Sequence, residues 1–323
     1  MKRTVTFGEI MLRLKTPEHM RILQTDAFEA SYGGAEANVA VSLAVLKDPV
    51  SFVTKLPENP VGTAALNEVR RYGADTSKVV IGGSRLGIYF FEKGTDIRPT
   101  NVVYDREGSA LALAKPEEFH WDEILKDTDI FYFSGVTPAV SENIAKAVLE
   151  ALKYCKAHGI ETVCDLNYRS KMWDTKKAQS VMSELMNYVT LCIANDEDFE
   201  SSLGIHAYDG DISKGIDQIE SYKAGMKEIQ NRYPNCKAVA SVLRNMYTAE
   251  DGDWMAIYLK DGVFYESPVH KVHSFEAVGA GDAFSAALVM SLLKGQTLRE
   301  AHECAVKISA FVCSHKGAWP VYE

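Results

Sequence analysis

Ile130-Phe131-Tyr132-Phe133 is a run of apolar residues with no polar alternation, the pattern of a strand covered on both faces inside a parallel sheet. A helical pattern follows it. Ser141 stands where an N-cap belongs, and Ile144, Val148, Leu152 and Cys155 recur at helical spacing. Gly159 then ends the helix as a residue that tolerates left-handed backbone. Residues 162–164 read as the next strand. Strand, helix and strand in this order make the crossover that joins neighbouring parallel strands.

The same rhythm extends outward in both directions. Residues 5–10 read as a strand. Residues 35–46 read as a helix with Val39, Leu43 and Leu46 on one face. Residues 50–54 form a second strand, and 61–72 a second helix ending near Gly73. Beyond the central unit come a helix over 176–188 and strands at 191–194 and 238–243. A hairpin of 254–259 with 263–266 turns at Asp261-Gly262. The succession predicts an α/β protein with a doubly wound, mainly parallel sheet flanked by helices, in one domain over residues 1–323. Two stretches break the rhythm. Residues 11–30 carry no clear helix, and 87–113 read as strands 87–93 and 101–105 joined through Gly94. Together, about residues 12–30 and 87–113 are expected to form a small β-sheet lid outside the main sheet. The polar stretch 208–219 reads as a surface excursion.

Composition narrows the function. The 323 residues are 46% hydrophobic and 24% charged, with a net charge of −9. That balance argues against a nucleic-acid binder, which needs clustered Lys and Arg, but a few local Arg can still hold a small anion. No apolar run reaches the roughly 18–20 residues of a membrane-spanning helix. Met1-Lys2-Arg3 leads straight into a strand without a signal-peptide pattern, so a cytoplasmic location is expected. The six Cys lack Cys-x-x-Cys spacing and read as buried thiols. His270 and His273, in an expected loop, have no third metal ligand nearby.

The sharpest motif is Val278-Gly279-Ala280-Gly281-Asp282-Ala283-Phe284-Ser285-Ala286-Ala287-Leu288. Three small residues precede an acid, and a helical run follows. Free N–H groups at a helix start, with the helix dipole behind them, make an anion site. An Asp at its mouth can take a proton from a hydroxyl that attacks a phosphoryl group. On these residues alone, a structural turn with a dipole-favoured Asp stands beside that reading. No Gly-x-x-x-x-Gly-Lys-Ser/Thr loop, dinucleotide fingerprint or Gly-x-Ser-x-Gly elbow competes. A second glycine pair, in Tyr32-Gly33-Gly34-Ala35-Glu36-Ala37-Asn38, opens a helix and sets Asn38 one turn in, where it can meet sugar hydroxyls.

The Gly33-Gly34-x-x-x-Asn38 helix start and the Gly279-Ala280-Gly281-Asp282 turn together resemble the ribokinase (PfkB) family of carbohydrate kinases. The order of elements, lid included, matches over essentially the whole chain. The resemblance implies ATP and Mg2+, a lid that closes over the sugar, and often an assembly of two copies through that lid. It makes Asp282 the catalytic base, with Gly279, Ala280 and Gly281 as the anion hole. It places Asn195 in a motif that organises magnesium and phosphates, with Asp198 or Glu197 as the acid. It puts Ser241, Leu243 and Arg244, with Gly279 and Gly281, at the nucleotide. Two departures stand out. Arg244 falls where the family often has Gly, as either a phosphate partner or a surface Arg. Glu276-Ala277 replaces the usual Asp-Thr pair, which helps bind a monovalent cation in relatives, so potassium activation is not expected.

Two segments bear on the sugar. Tyr104-Asp105-Arg106 follows a lid strand, and Asp165-Leu166-Asn167-Tyr168-Arg169 follows a core strand end, where such sheets bind ligands. Arg suits a planar carboxylate, although either Arg read alone also fits a surface ion pair. Both segments resemble those of 2-keto-3-deoxygluconate kinases, which implies that Arg106 and Arg169 hold a sugar-acid carboxylate, with Tyr89 and Tyr104 at the sugar. The expected reaction is ATP-dependent phosphorylation of 2-keto-3-deoxygluconate to its 6-phosphate. A fructokinase or other sugar kinase of the family is the nearest alternative. A non-catalytic sugar-acid or nucleotide sensor is the alternative from a different class.

Overall fold

In the strand Ile130–Ser134, Phe131 and Phe133 enter one hydrophobic cluster and Ile130 and Tyr132 another. This computed structural model, which describes residues 3–319, therefore has a core on each side of the strand, as the unbroken apolar run requires. The strand pairs in parallel with Thr4–Phe7 on one side and Glu161–Asp165 on the other. The main sheet runs, from edge to edge, Val263–Glu266, Asp251–Lys260, Ala238–Met246, Leu191–Ile193, Glu161–Asp165, Ile130–Ser134, Thr4–Phe7 and Val50–Val53. It is parallel from Ala238–Met246 to Val50–Val53, and the last two strands at the other edge are antiparallel.

Helices cover both faces. Glu142–His158, Thr175–Met186 and Ile219–Arg232 pack on one side; Ala35–Val45, Pro60–Arg71, Ala280–Leu293 and Leu298–Val312 pack on the other. Local chemistry sets their ends. The Ser141 hydroxyl accepts from Ile144 N at 3.3 Å, and Gly159 takes φ 69°. Asn59 caps the next helix through Val61 N and Gly62 N, so that helix starts at Pro60. From Thr4–Phe7 the chain goes first to Val50–Val53 on one side and then to Ile130–Ser134 on the other. This reversal opens a crevice at the carboxyl ends of the strands.

A separate four-stranded sheet stands beside that crevice, in the order Glu29–Gly33, Met11–Lys15, Ile88–Glu92, Asn101–Asp105. Its strands overlap the irregular stretches, but Glu29–Gly33 runs past residue 30 to the start of the helix Ala35–Val45, and the tail of the second stretch does not belong to the sheet. Leu111 and Ala114 are buried in the main body's core.

Other expectations shift by small amounts for visible reasons. The first strand stops at Phe7, because Glu9 turns aside to accept from the Ser109 hydroxyl and Arg106. His270–His273 is a strand paired with Asp251–Lys260 rather than a loop, and the His273 ring bonds Asp251 at 2.7 Å. Five of the six thiols are buried, and Cys304 is half-buried. Among the described residues no helix is long and apolar enough to cross a membrane.

The Ser141 cap is half-buried and does not line the cavity of the crevice. Ser141→Ala should lower the unfolding free energy by about 1 kcal/mol in urea titration and leave catalytic rates unchanged.

Candidate active site

The helix Ala280–Leu293 is buried nearly all round. Ala283, Ala286 and Ala287 let the helices Ala35–Val45 and Leu298–Val312 approach it closely. Its first turn looks into a cavity of about 680 Å³ at the carboxyl ends of the strands. Gly279 lies at φ 78°, and a Cβ there would meet the Ala318 carbonyl at 2.4 Å, so the turn accepts only glycine. A Cβ on Gly281 would point into open space, so that position leaves room for a ligand. The helix start thus presents N–H groups without intrahelical partners to the cavity.

Asp282 is 9% exposed. Burial pushes its carboxyl up to about 7, with Glu36 adding to the rise, while a bond from Asn38 and the charge of Arg169 oppose it. Asn38 Nδ2 donates to Asp282 Oδ2 at 2.7 Å. Its oxygen accepts from Trp319 Nε1 at 2.7 Å and from Gly34 N at 3.4 Å. Asn38 therefore holds the acid. Gly34 is extended and lies so close to the Glu9 carbonyl that a Cβ would sit 1.9 Å from it. A Cβ on its neighbour Gly33 would press on the Tyr89 hydroxyl.

One cavity gathers Gly34, Asn38, Tyr89, Tyr104, Arg106, Asp165, Arg169, Asn195, Glu197, Asp198, Arg244 and the Gly279-Ala280-Gly281-Asp282 turn. At the small-sheet end, the Tyr89 and Tyr104 rings lie 6.1 Å apart, and burial raises the Tyr89 phenol. Arg106 is ion-paired with Glu9, and its Nε is buried without a partner. Arg169 Nη1 donates to the Tyr168 carbonyl at 2.7 Å, and its charge is felt by Asp165, Asp198 and Asp282.

At the other end, strand alternation separates the predicted residues. The side chains of Val242, Arg244 and Met246 line the cavity, while Ser241 and Leu243 are buried and do not. Arg244 pairs with Asp196 and lies 5.6 Å over the Trp254 ring. The Asn195 side chain accepts from Val242 N at 2.7 Å, tying two strands together. Asp198 accepts from Tyr168 N at 2.7 Å and Asn195 N at 2.9 Å; burial still pushes it up to about 6. Glu197 is exposed at the rim with no bonded partner among the described residues. These features separate the two acids: Asp198 is occupied as a backbone clamp, and Glu197 is free.

Sequence reading did not single out several contributors. Asp165 is buried with Oδ1 unpartnered. Asn167 and Asp196 sit at φ 39° and 40° on the cavity wall. Asn and Asp tolerate that region best, which was the available signal. Glu9 and Trp319 gave none.

Glu276 is fully buried and accepts from Arg13 Nη2 at 2.6 Å, Lys15 Nζ at 3.1 Å and Gly317 N at 2.6 Å. Burial alone would raise its carboxyl, but Arg13, Gly317 and Lys15 hold it below the usual range.

A buried acid at a helix start, beside a cavity with separate cationic ends, is the layout of an enzyme that moves a phosphoryl group onto a hydroxyl. The pfkB family carbohydrate kinase model matches residues 1–321, and the chain belongs to that family, whose members use ATP. It is 35% identical over 297 residues to a 2-dehydro-3-deoxygalactonokinase of Haloferax volcanii, covering 92% of this chain and 86% of that protein. The structure of a 2-dehydro-3-deoxygluconokinase from Thermotoga maritima superposes with TM-score 0.94 at 41% identity, over 100% of this chain and 97% of the other. A PfkB family carbohydrate kinase from Listeria grayi gives 0.90 at 31% identity, over 98% and 96%.

Because Arg13 and Lys15 already neutralise Glu276, a potassium ion there would meet no free anionic ligand. Replacing potassium by tetramethylammonium in an ADP-release assay should leave kcat essentially unchanged; a saturable potassium requirement would contradict this.

Proposed function

We propose that the chain phosphorylates 2-keto-3-deoxygluconate at its 6-hydroxyl, with Asp282 as general base. The observation that carries the sugar-acid part is the pair of guanidinium groups, Arg106 and Arg169, in the cavity that holds Asp282. The buried, unpartnered Nε of Arg106 is a donor in want of an acceptor. A neutral ketose offers it no carboxylate, which disfavours the fructokinase reading. The kinases named for Haloferax volcanii and Thermotoga maritima act on 2-dehydro-3-deoxy sugar acids, in keeping with this choice.

The 6-hydroxyl sits at Asp282 and surrenders its proton as its oxygen attacks the γ-phosphorus of ATP. The bond from that phosphorus to the bridging oxygen breaks, and ADP leaves with the electron pair. Gly279 and Gly281 offer N–H groups to the transferring phosphoryl, joined by Ala280 N, whose bond to the Ala277 carbonyl is long at 3.4 Å. A carboxyl that titrates near 7 suits this work, since it is ionised for much of the time yet basic enough to accept a proton. Arg244 faces the nucleotide phosphates. Mg2+ binds through one or two carboxylates plus phosphates and water, and Glu197, free at the rim, fits that role better than Asp198, whose oxygens are both bonded. Bound there, the ion neutralises phosphate charge. The small sheet serves as the lid that keeps water out. Its exposed Val103 supports an assembly of two copies through this sheet.

Asp282→Asn should cut kcat by about 10² to 10⁴ with sugar affinity nearly intact. In the unmodified enzyme kcat should fall as pH drops through about 7, because protonated Asp282 cannot accept the hydroxyl proton.

Arg169→Met should reduce kcat/KM for the sugar acid about tenfold, the scale expected when a hydrogen bond to a charged group is lost. Fructose should be affected far less. Both substrates need assaying well above the titration of Asp282, because losing Arg169 also raises that carboxyl. Equal loss on both substrates would refute the carboxylate clamp. Including 2-keto-3-deoxygalactonate in the panel identifies the preferred epimer.

A further inference from the structure

We propose that Trp319 is a positioning residue for the catalytic base: its indole N–H sets the orientation of the Asn38 amide, and Asn38 in turn holds Asp282. The inference rests on Asp282 being the base. An asparagine amide can face either way, and only one face stabilises a carboxylate. Indole Nε1 is a donor with no acceptor capacity. At 2.7 Å from Asn38 Oδ1, it requires the oxygen on its own side and leaves Nδ2 directed at Asp282 Oδ2, also at 2.7 Å. Gly34 N adds only a long bond of 3.4 Å to the same oxygen. Without the indole N–H, the amide can turn its oxygen toward the carboxylate, where two acceptors repel.

The indole is itself held. Trp319 is 8% exposed, and its ring meets Tyr72 edge-on at 5.1 Å. The segment before it follows the active-site turn: Gly317 N donates to Glu276 Oε2 at 2.6 Å, and the Ala318 carbonyl packs against Gly279. The relay from Trp319 to Asp282 is therefore a rigid path buried beneath the cavity.

Asp282 is also faced by Glu36 on the helix Ala35–Val45, by Arg169 after the strand Glu161–Asp165, by Asp165 and Tyr132 on the central strands, and by Tyr89 on the small sheet. The Trp319 relay acts on this background by strengthening the one neutral bond to the ionised form. A bond to a charged group is strong enough to shift a titration by about one pH unit.

The test is the pH profile of kcat in Trp319→Phe, which keeps the ring and removes the donor. The acid limb should move up by about one unit, which gives about a tenfold lower kcat on that limb. At high pH the rate should recover, and KM for ATP should not change. On an Asn38→Ala background, Trp319→Phe should add no further shift. A second measurement needs no Trp variant: the 15N indole resonance of Trp319 should titrate with the acid limb and lose that titration in Asp282→Asn. An unmoved limb with a pH-insensitive indole resonance overturns the inference, as does a full further shift from Trp319→Phe on the Asn38→Ala background. If Asp282→Asn itself retains full turnover, the base assignment has failed; if it is inactive while the relay tests are negative, only the relay has failed.

Discussion

A carboxyl proposed to exchange a proton near neutrality has to be taken out of water without being abandoned there. The burial and contacts of Asp282 meet that constraint. Small residues along the helix Ala280–Leu293 allow two other helices to close around it, and the resulting burial raises the carboxyl. Asn38 and Arg169 then draw it back. Burial without those two would favour the protonated acid, and the same contacts on an exposed carboxyl would leave it too weak a base. The helix packing and the hydrogen bonds are therefore parts of one device.

Two of the cavity's cations follow a related logic. Arg106 is committed to Glu9, and Arg244 to Asp196 and the Trp254 ring. Each keeps its side chain fixed before any ligand arrives, which lowers the ordering cost of binding. Part of each charge is neutralised as a result. A chain of net charge −9 can thus hold two anionic ligands in one cavity without a strongly basic surface.

The main sheet was legible because strands buried on both faces leave unbroken apolar runs, as at Ile130-Phe131-Tyr132-Phe133, and because Ser141 and Gly159 mark helix ends chemically. The acid turn was legible because Gly279 and Asp282 are adjacent to what they serve. Contacts made across long separations left no trace. Arg13 meets Glu276 across 263 positions and Asn38 meets Trp319 across 281, and no local pattern encodes either. At the nucleotide end the failure was one of parity. Shifting by one residue along a strand exchanges the faces, so Val242 and Arg244 reach the cavity while Ser241 and Leu243 turn into the core. Asp198 and Glu197 were likewise inseparable until the backbone N–H groups of Tyr168 and Asn195 were seen to engage only the former.

The place of Thr4–Phe7, between Val50–Val53 and Ile130–Ser134, has a consequence for the nascent chain. One neighbour, Val50–Val53, is made soon afterwards, but the other, Ile130–Ser134, leaves the ribosome only after the small sheet has been synthesised. Until then one edge of an early-made, fully buried strand stays open to any passing chain, the condition under which partly folded α/β proteins aggregate.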